Sequence, residues 1–93
     1  MAQPVGKLQD QVAIITGAAQ GMGATSARVL AREGARVVVC DLDGAKAAAV
    51  AREIDPAGER VLGLHTDVTN QRDVATLIDH TLTHFGTISI LVN

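Results

Sequence analysis

The chain has 93 residues, 47% of them hydrophobic, with a formal net charge of −2 and a pI near 5.8. Disordered chains pair low hydrophobicity with high net charge, so that class is excluded. There is no basic footprint for nucleic acid, and Phe85, the one aromatic residue, gives no platform for stacking bases.

Residues 1–10, MAQPVGKLQD, lack the apolar core of a signal peptide and the Met-Gly start of a myristoylation site, and are read as a flexible leader. Residues 11–93 are read as one unit. Its first strand is Val12–Thr16 (VAIIT). A helix follows, with Ala27, Leu30 and Ala31 as its apolar stripe and Gly34 where a helix-ending glycine belongs. The second strand is Arg36–Cys40 (RVVVC). Ala47, Val50, Ala51 and Ile54 then recur at i, i+3, i+4, i+7, and Pro56 stops that helix by Asp55. The third strand is Arg60–His65 (RVLGLH). Val74, Leu77, Ile78, Thr81, Leu82 and Phe85 mark the third helix, with Asn70 as its cap, Asp73 three residues later, and Gly86 closing it. The last strand is Ile88–Val92 (ISILV).

Three of these four strands are apolar on consecutive positions, as strands buried on both faces of a parallel sheet require. The order β-α-β-α-β-α-β argues for right-handed crossovers and the first half of a doubly wound, Rossmann-type α/β fold. No apolar run approaches the ~20 residues of a membrane span.

The first strand runs directly into TGAAQGMGATSARVLAREG, with glycines at Gly17, Gly21 and Gly23. Glycine leaving a strand permits a tight turn. Glycines entering a helix let the backbone approach a ligand, where the free N–H groups and the helix dipole favour an anion such as pyrophosphate. Any tight turn also favours glycine, so the structural reading stands beside the functional one. Position decides for a dinucleotide: the motif follows a buried strand and opens a helix inside a βαβ unit. A triphosphate-binding loop needs G-K-[ST], whereas Met22 follows Gly21 here and no lysine is near.

Asp41 closes the second strand, eighteen residues beyond Gly23. A carboxylate there accepts hydrogen bonds from the adenosine ribose of NAD and repels the 2′-phosphate of NADP. Neither Gln20 nor Leu42 is an Arg or Lys that would offset the repulsion. NAD is therefore the expected cofactor, with a turn or cap role for Asp41 as the other reading.

Together these residues resemble the short-chain dehydrogenase/reductase family, whose T-G-x-x-x-G-x-G signature is matched by Thr16, Gly17, Gly21 and Gly23. The resemblance runs from about Lys7 to Asn93. It implies that Asp67 and Val68, in HTDVTN, contact the adenine. Without it, Asp67 is equally well read as a turn residue. It also implies that Asn93 opens the family's N-N-A-G segment, which steadies the sheet and lines the cofactor site. The family's catalytic Ser and Tyr-x-x-x-Lys have no counterpart, and the chain contains no tyrosine. The expectation is thus the cofactor-binding half of an NAD-dependent oxidoreductase acting on an alcohol or carbonyl, truncated after its fourth strand. In the whole protein a homo-oligomer, tetramer or dimer, is implied. The other readings are a stand-alone nucleotide-binding module without catalysis, and a chain completed by a separate piece. An apolar fourth strand at a sheet edge argues mildly against the stand-alone module, since it invites pairing with another copy.

The remaining reactive side chains have plain readings. His80 and His84 stand i, i+4 on the third helix, but without an H-E-x-x-H motif or third ligand they are read as surface or rim residues, not a metal site. His65 is read as a partly buried histidine with a backbone partner. Arg28, Arg32 and Arg36 are read as a solvated helix face and strand start. Cys40, the only cysteine, is read as a small buried hydrophobe, and a chain without a disulfide fits a reducing cytoplasm.

Overall fold

Four β-branched runs pair side by side in a computed structural model that describes residues 7–93. The strands are β1 (Val12–Thr16), β2 (Arg36–Asp41), β3 (Val61–His65) and β4 (Ile90–Val92). They alternate with the helices α1 (Gly21–Arg32), α2 (Gly44–Ile54) and α3 (Gln71–Phe85). All pairings are parallel, in the order β3-β2-β1-β4. That order belongs to the first half of a doubly wound α/β fold, and it brings the ends of β1, β2 and β3 to one carboxyl edge.

Consecutive apolar residues bury both faces of the sheet. Ile15, Val37, Val39 and Val61 pack under Ala24, Ala27 and Ala31 of α1 and Val50 and Ala51 of α2. Ile14, Val38 and Cys40 pack under Leu77 of α3, with Leu64, Phe85 and Ile88 at the margin. The alanines of α1 and α2 let both helices lie close on the sheet.

The helix ends follow the sequence with one correction. Gly34, at φ 102°, ends α1: its N–H donates to the Ala31 carbonyl, and that of Ala35 to Leu30, both at 3.0 Å. The α2 helix stops at Ile54, two residues before Pro56. Asn70 caps α3 by accepting from the N–H groups of Arg72 and Asp73, and Gly86 closes it at φ 86°. Asp73, however, does not complete the box. Its carboxylate accepts from the Asp67 N–H at 2.9 Å, while the Asn70 N–H donates to the Asp67 carbonyl.

Two strands are shorter than expected. Arg60 lies just outside β3: its N–H donates to the Asp55 carboxylate at 2.6 Å, and its guanidinium donates to the Ala31 and Ala35 carbonyls. Ile88 and Ser89 lie outside β4. The Ser89 hydroxyl takes the Val12 N–H at 3.2 Å, so the β1–β4 ladder starts only at Ala13 and Ile90. Residues 1–6 of the expected leader fall outside the described residues. Lys7–Asp10 form a turn tied by the Leu8 N–H to the Glu33 carbonyl at 2.8 Å, and Leu8 packs on the core.

Candidate functional site

The turn from β1 into α1 is built by glycines with different tasks. Gly17 and Gly21 sit at φ 61° and 62°, in the left-handed region, where a side chain costs about 1–2 kcal/mol. A Cβ on either would stand in open space, with no atom within 4 Å, so the bare backbone faces outward. At Gly23 the space belongs to the chain itself: a Cβ would lie 2.5 Å from the Gly17 carbonyl oxygen and 2.8 Å from Ala18 Cα. Its missing side chain lets α1 close against the loop, a packing role that stands beside the one expected from the sequence.

The helix N-terminus behind the turn is unblocked by side chains. Gln20, the N-cap, makes no side-chain capping bond, and the first turn of α1 holds no acidic residue. Its backbone donors and the positive end of the dipole suit an anion.

Asp41, at the end of β2, reaches this turn. Its Oδ2 accepts from the Ala19 N–H at 3.1 Å and its Oδ1 from the Asp43 N–H at 3.0 Å. The turn reading of Asp41 is therefore present in the structure, at a position facing the glycine loop. Asp43 in turn caps α2 by accepting from the Lys46 N–H.

After β3, Asp67 Oδ1 accepts from the Thr69 hydroxyl at 2.6 Å and the Thr69 N–H at 2.9 Å. The Thr69 hydroxyl is the main cause that holds this carboxyl below the usual range. Asp67 makes no hydrogen bond to the glycine turn. Beyond β4, the Thr16 hydroxyl lies 3.4 Å from both the Val92 carbonyl and Asn93 Oδ1, and its one proton serves either. Thr16 and Asn93 thus fasten the ends of β1 and β4.

Met22, Leu42 and Val68 are 87%, 67% and 57% exposed. Met22 lies in the first turn of α1, and Leu42 and Val68 on the loops after β2 and β3.

His65 departs from its reading. It is exposed, since β3 is an edge strand, and its nearest charged partner is Asp73 at 3.8 Å. His80 and His84 are exposed on α3 with ring centroids 6.4 Å apart. Among the described residues no three His, Cys, Asp or Glu are grouped to hold a metal ion. Cys40 is fully buried, and its thiol donates to the Ile15 carbonyl at 3.4 Å. Burial raises its pKa, a hydrogen bond with Thr66 opposes the rise, and the Asp41 charge adds to it.

Sequence reasoning missed Ala19, Asp43 and Thr66. Asp43 carried a signal, an Asp immediately before an Ala-rich helix. Ala19 and the buried Thr66, whose N–H donates to the Asp41 carbonyl at 2.9 Å, carried none.

A family model described as short chain dehydrogenase matches residues 11–93. The chain is 46% identical over 84 residues to the cis-4-hydroxycyclohexanecarboxylate dehydrogenase of Sinomonas cyclohexanicum, covering 89% of this chain and 33% of that one. Momilactone A synthase of Oryza sativa subsp. japonica is 41% identical over 87 residues, covering 94% and 31%. Among solved structures, a hydroxysteroid dehydrogenase from Escherichia coli aligns with a TM-score of 0.86 at 36% identity, over 92% of this chain and 37% of that one. The chain spans about a third of the length of these curated relatives.

Proposed function

We propose, for a chain that belongs to the short-chain dehydrogenase family, that its carboxyl edge holds NAD in an oxidoreductase acting on an alcohol or carbonyl. Nicotinamide supplies hydride chemistry, and the protein's part is to bind and orient it. Gly17, Gly21 and Gly23, with the start of α1 at Gln20 and Met22, would hold the pyrophosphate. Asp41 and Leu42 would border the adenosine ribose, Asp67 and Val68 the adenine, and Thr16 and Asn93 the inner end of the edge. Two features support the fit of a dinucleotide here: the open space over Gly17 and Gly21, and a helix start without an acidic side chain.

The observation that carries the choice of NAD is the Asp41 carboxylate, placed at the glycine turn by its 3.1 Å bond from Ala19. A 2′-phosphate beside that charge is repelled, and no Arg or Lys stands at Gln20 or Leu42 to offset it. No tyrosine occurs among the 93 residues, so this sequence supplies the cofactor edge and not the family's catalytic phenol. The relatives' names span a cyclohexane alcohol and a hydroxysteroid, which leaves the substrate open. The whole protein would work in the cytoplasm as a homo-oligomer, a tetramer or dimer. No helix among the described residues is long and apolar enough to cross a membrane.

Calorimetric titration with NAD and NADP tests the reading. NAD is expected to bind at least about tenfold tighter, a difference of about 1.4 kcal/mol. Equal affinities would remove the preference for NAD, and no binding of either would remove the cofactor role.

A further inference from the structure

We propose that Asp41 is the positioning residue of this edge: it ties the loops after β1, β2 and β3 together and holds the glycine turn in shape before any cofactor binds. The inference rests on reading the edge as a dinucleotide site. It adds a task to Asp41 that is separate from recognising the ribose.

Each polar group of Asp41 beyond its own strand is committed to a different loop. Oδ2 takes the Ala19 N–H of the loop after β1, and Oδ1 takes the Asp43 N–H of the loop after β2. Its carbonyl takes the Thr66 N–H of the loop after β3 at 2.9 Å. The neighbouring Cys40 carbonyl adds a bond from the Ala18 N–H at 3.1 Å. Ala18 and Ala19 are both buried and held by the end of β2, and Gly23 closes on Ala18 from the other side. Without the carboxylate, the part-buried Ala19 N–H loses its one acceptor among the described residues, and the turn loses the bond that fixes it to the end of β2.

The two tasks do not compete. An ionised carboxylate offers about four lone-pair sites, two on each oxygen. The bonds from Ala19 and Asp43 use one on each oxygen, which leaves one on each for a ribose hydroxyl.

The two tasks also predict opposite results for a ligand without those hydroxyls. If Asp41 only accepted from the ribose, removing it would leave such a ligand unaffected, or help an anion by deleting a negative charge. If it positions the turn, the same change weakens binding.

The test uses wild type, Asp41→Ala and Asp41→Asn, with amide hydrogen exchange on the free protein and titration with 2′,3′-dideoxyadenosine 5′-diphosphate. The Ala19 amide is expected to exchange at least about tenfold faster in Asp41→Ala, with Asp41→Asn between because it keeps one oxygen acceptor. Protected amides at Ile14 and Val38 report that each variant is folded; where Asp41→Ala is not, Asp41→Asn alone carries both readouts. The dideoxy ligand is expected to bind Asp41→Ala at least about threefold more weakly than wild type, with partial rescue in Asp41→Asn. Unchanged Ala19 exchange overturns the proposal, and so does equal or tighter binding of the dideoxy ligand by Asp41→Ala. If wild type binds neither this ligand nor NAD, the cofactor reading falls and the preparing role falls with it. The exchange data then still report whether the tie to Ala19 exists.

Discussion

A single methyl group separates the roles of the glycines. In Gly23→Ala the new carbon meets backbone atoms that cannot swing aside, so the variant is expected to lose about 1–3 kcal/mol, read as a lower urea midpoint. Gly17→Ala places its methyl in open space and is expected to lose only about 1–2 kcal/mol, from the left-handed backbone. That methyl projects where the cofactor is proposed to lie, so NAD affinity should fall further than stability does. Unchanged NAD affinity in Gly17→Ala would refute the placement. Cys40 gives a second residue-scale prediction. Its thiol is buried and its pKa raised by that burial, so a small disulfide reagent should label it only as fast as the protein unfolds. Rapid labelling in native buffer would contradict the packing. Asp41 was legible from its place at the end of a strand. Its bond to Ala19 was not, because the two lie 22 residues apart and alanine advertises no hydrogen bond. His65 was misread for a related reason: the sequence marks a strand end, but not that the strand lies at the edge of the sheet.

At the scale of elements, local chemistry set most of the boundaries and long-range bonds moved the rest. Pro56, Gly34, Asn70 and Gly86 act on their own neighbours, so α1, α2 and α3 ended where the sequence implied. The starts of β3 and β4 moved inward, to where Asp55 holds the N–H groups of Arg60 and Val61 and where the Ser89 hydroxyl takes the Val12 N–H, pairings that no periodicity encodes. Asn70→Ala should cost about 1 kcal/mol, since it leaves the Arg72 and Asp73 N–H groups without their cap; urea denaturation measures it. Asp55 joins the end of α2 to the start of β3, and the Arg60 N–H is the main cause that holds its carboxyl below the usual range. Asp67 is lowered as well, chiefly by the Thr69 hydroxyl. For both, the folded pKa lies below the unfolded one. The stability they contribute is therefore complete above the unfolded carboxylate pKa, about 3.9, and is lost as pH falls through the folded values. The melting temperature should hold from neutral pH down to about 5 and decline below about 4. Asp55→Asn should melt lower at neutral pH and show a shallower acid decline. An equally steep decline in that variant would mean other carboxylates govern it.

The whole molecule is covered unevenly. Two helices share one face of the sheet, while α3 alone serves the other. Leu91 pairs in register with Ile14, so it stands on the α3 face. There Leu77 packs against Ile14, Val38 and Cys40, while Leu91 remains 59% exposed. Ile78 and Leu82 of α3 are exposed as well, and β4 forms an edge of the described sheet, paired on one side with β1. An apolar edge with unpaired backbone groups is a template for a second strand, and lysine on such an edge is a common means of blocking it. The 93-residue chain is accordingly expected to self-associate as its concentration rises, with a mass in sedimentation velocity above 9.6 kDa. Leu91→Lys should return it toward the monomer. Because Leu91 is exposed, the urea stability of that variant should stay within about 0.5 kcal/mol of wild type. A wild-type mass of 9.6 kDa at every concentration would show that the β4 edge does not drive association. Association that persists in Leu91→Lys would move the contact to the exposed residues of α3.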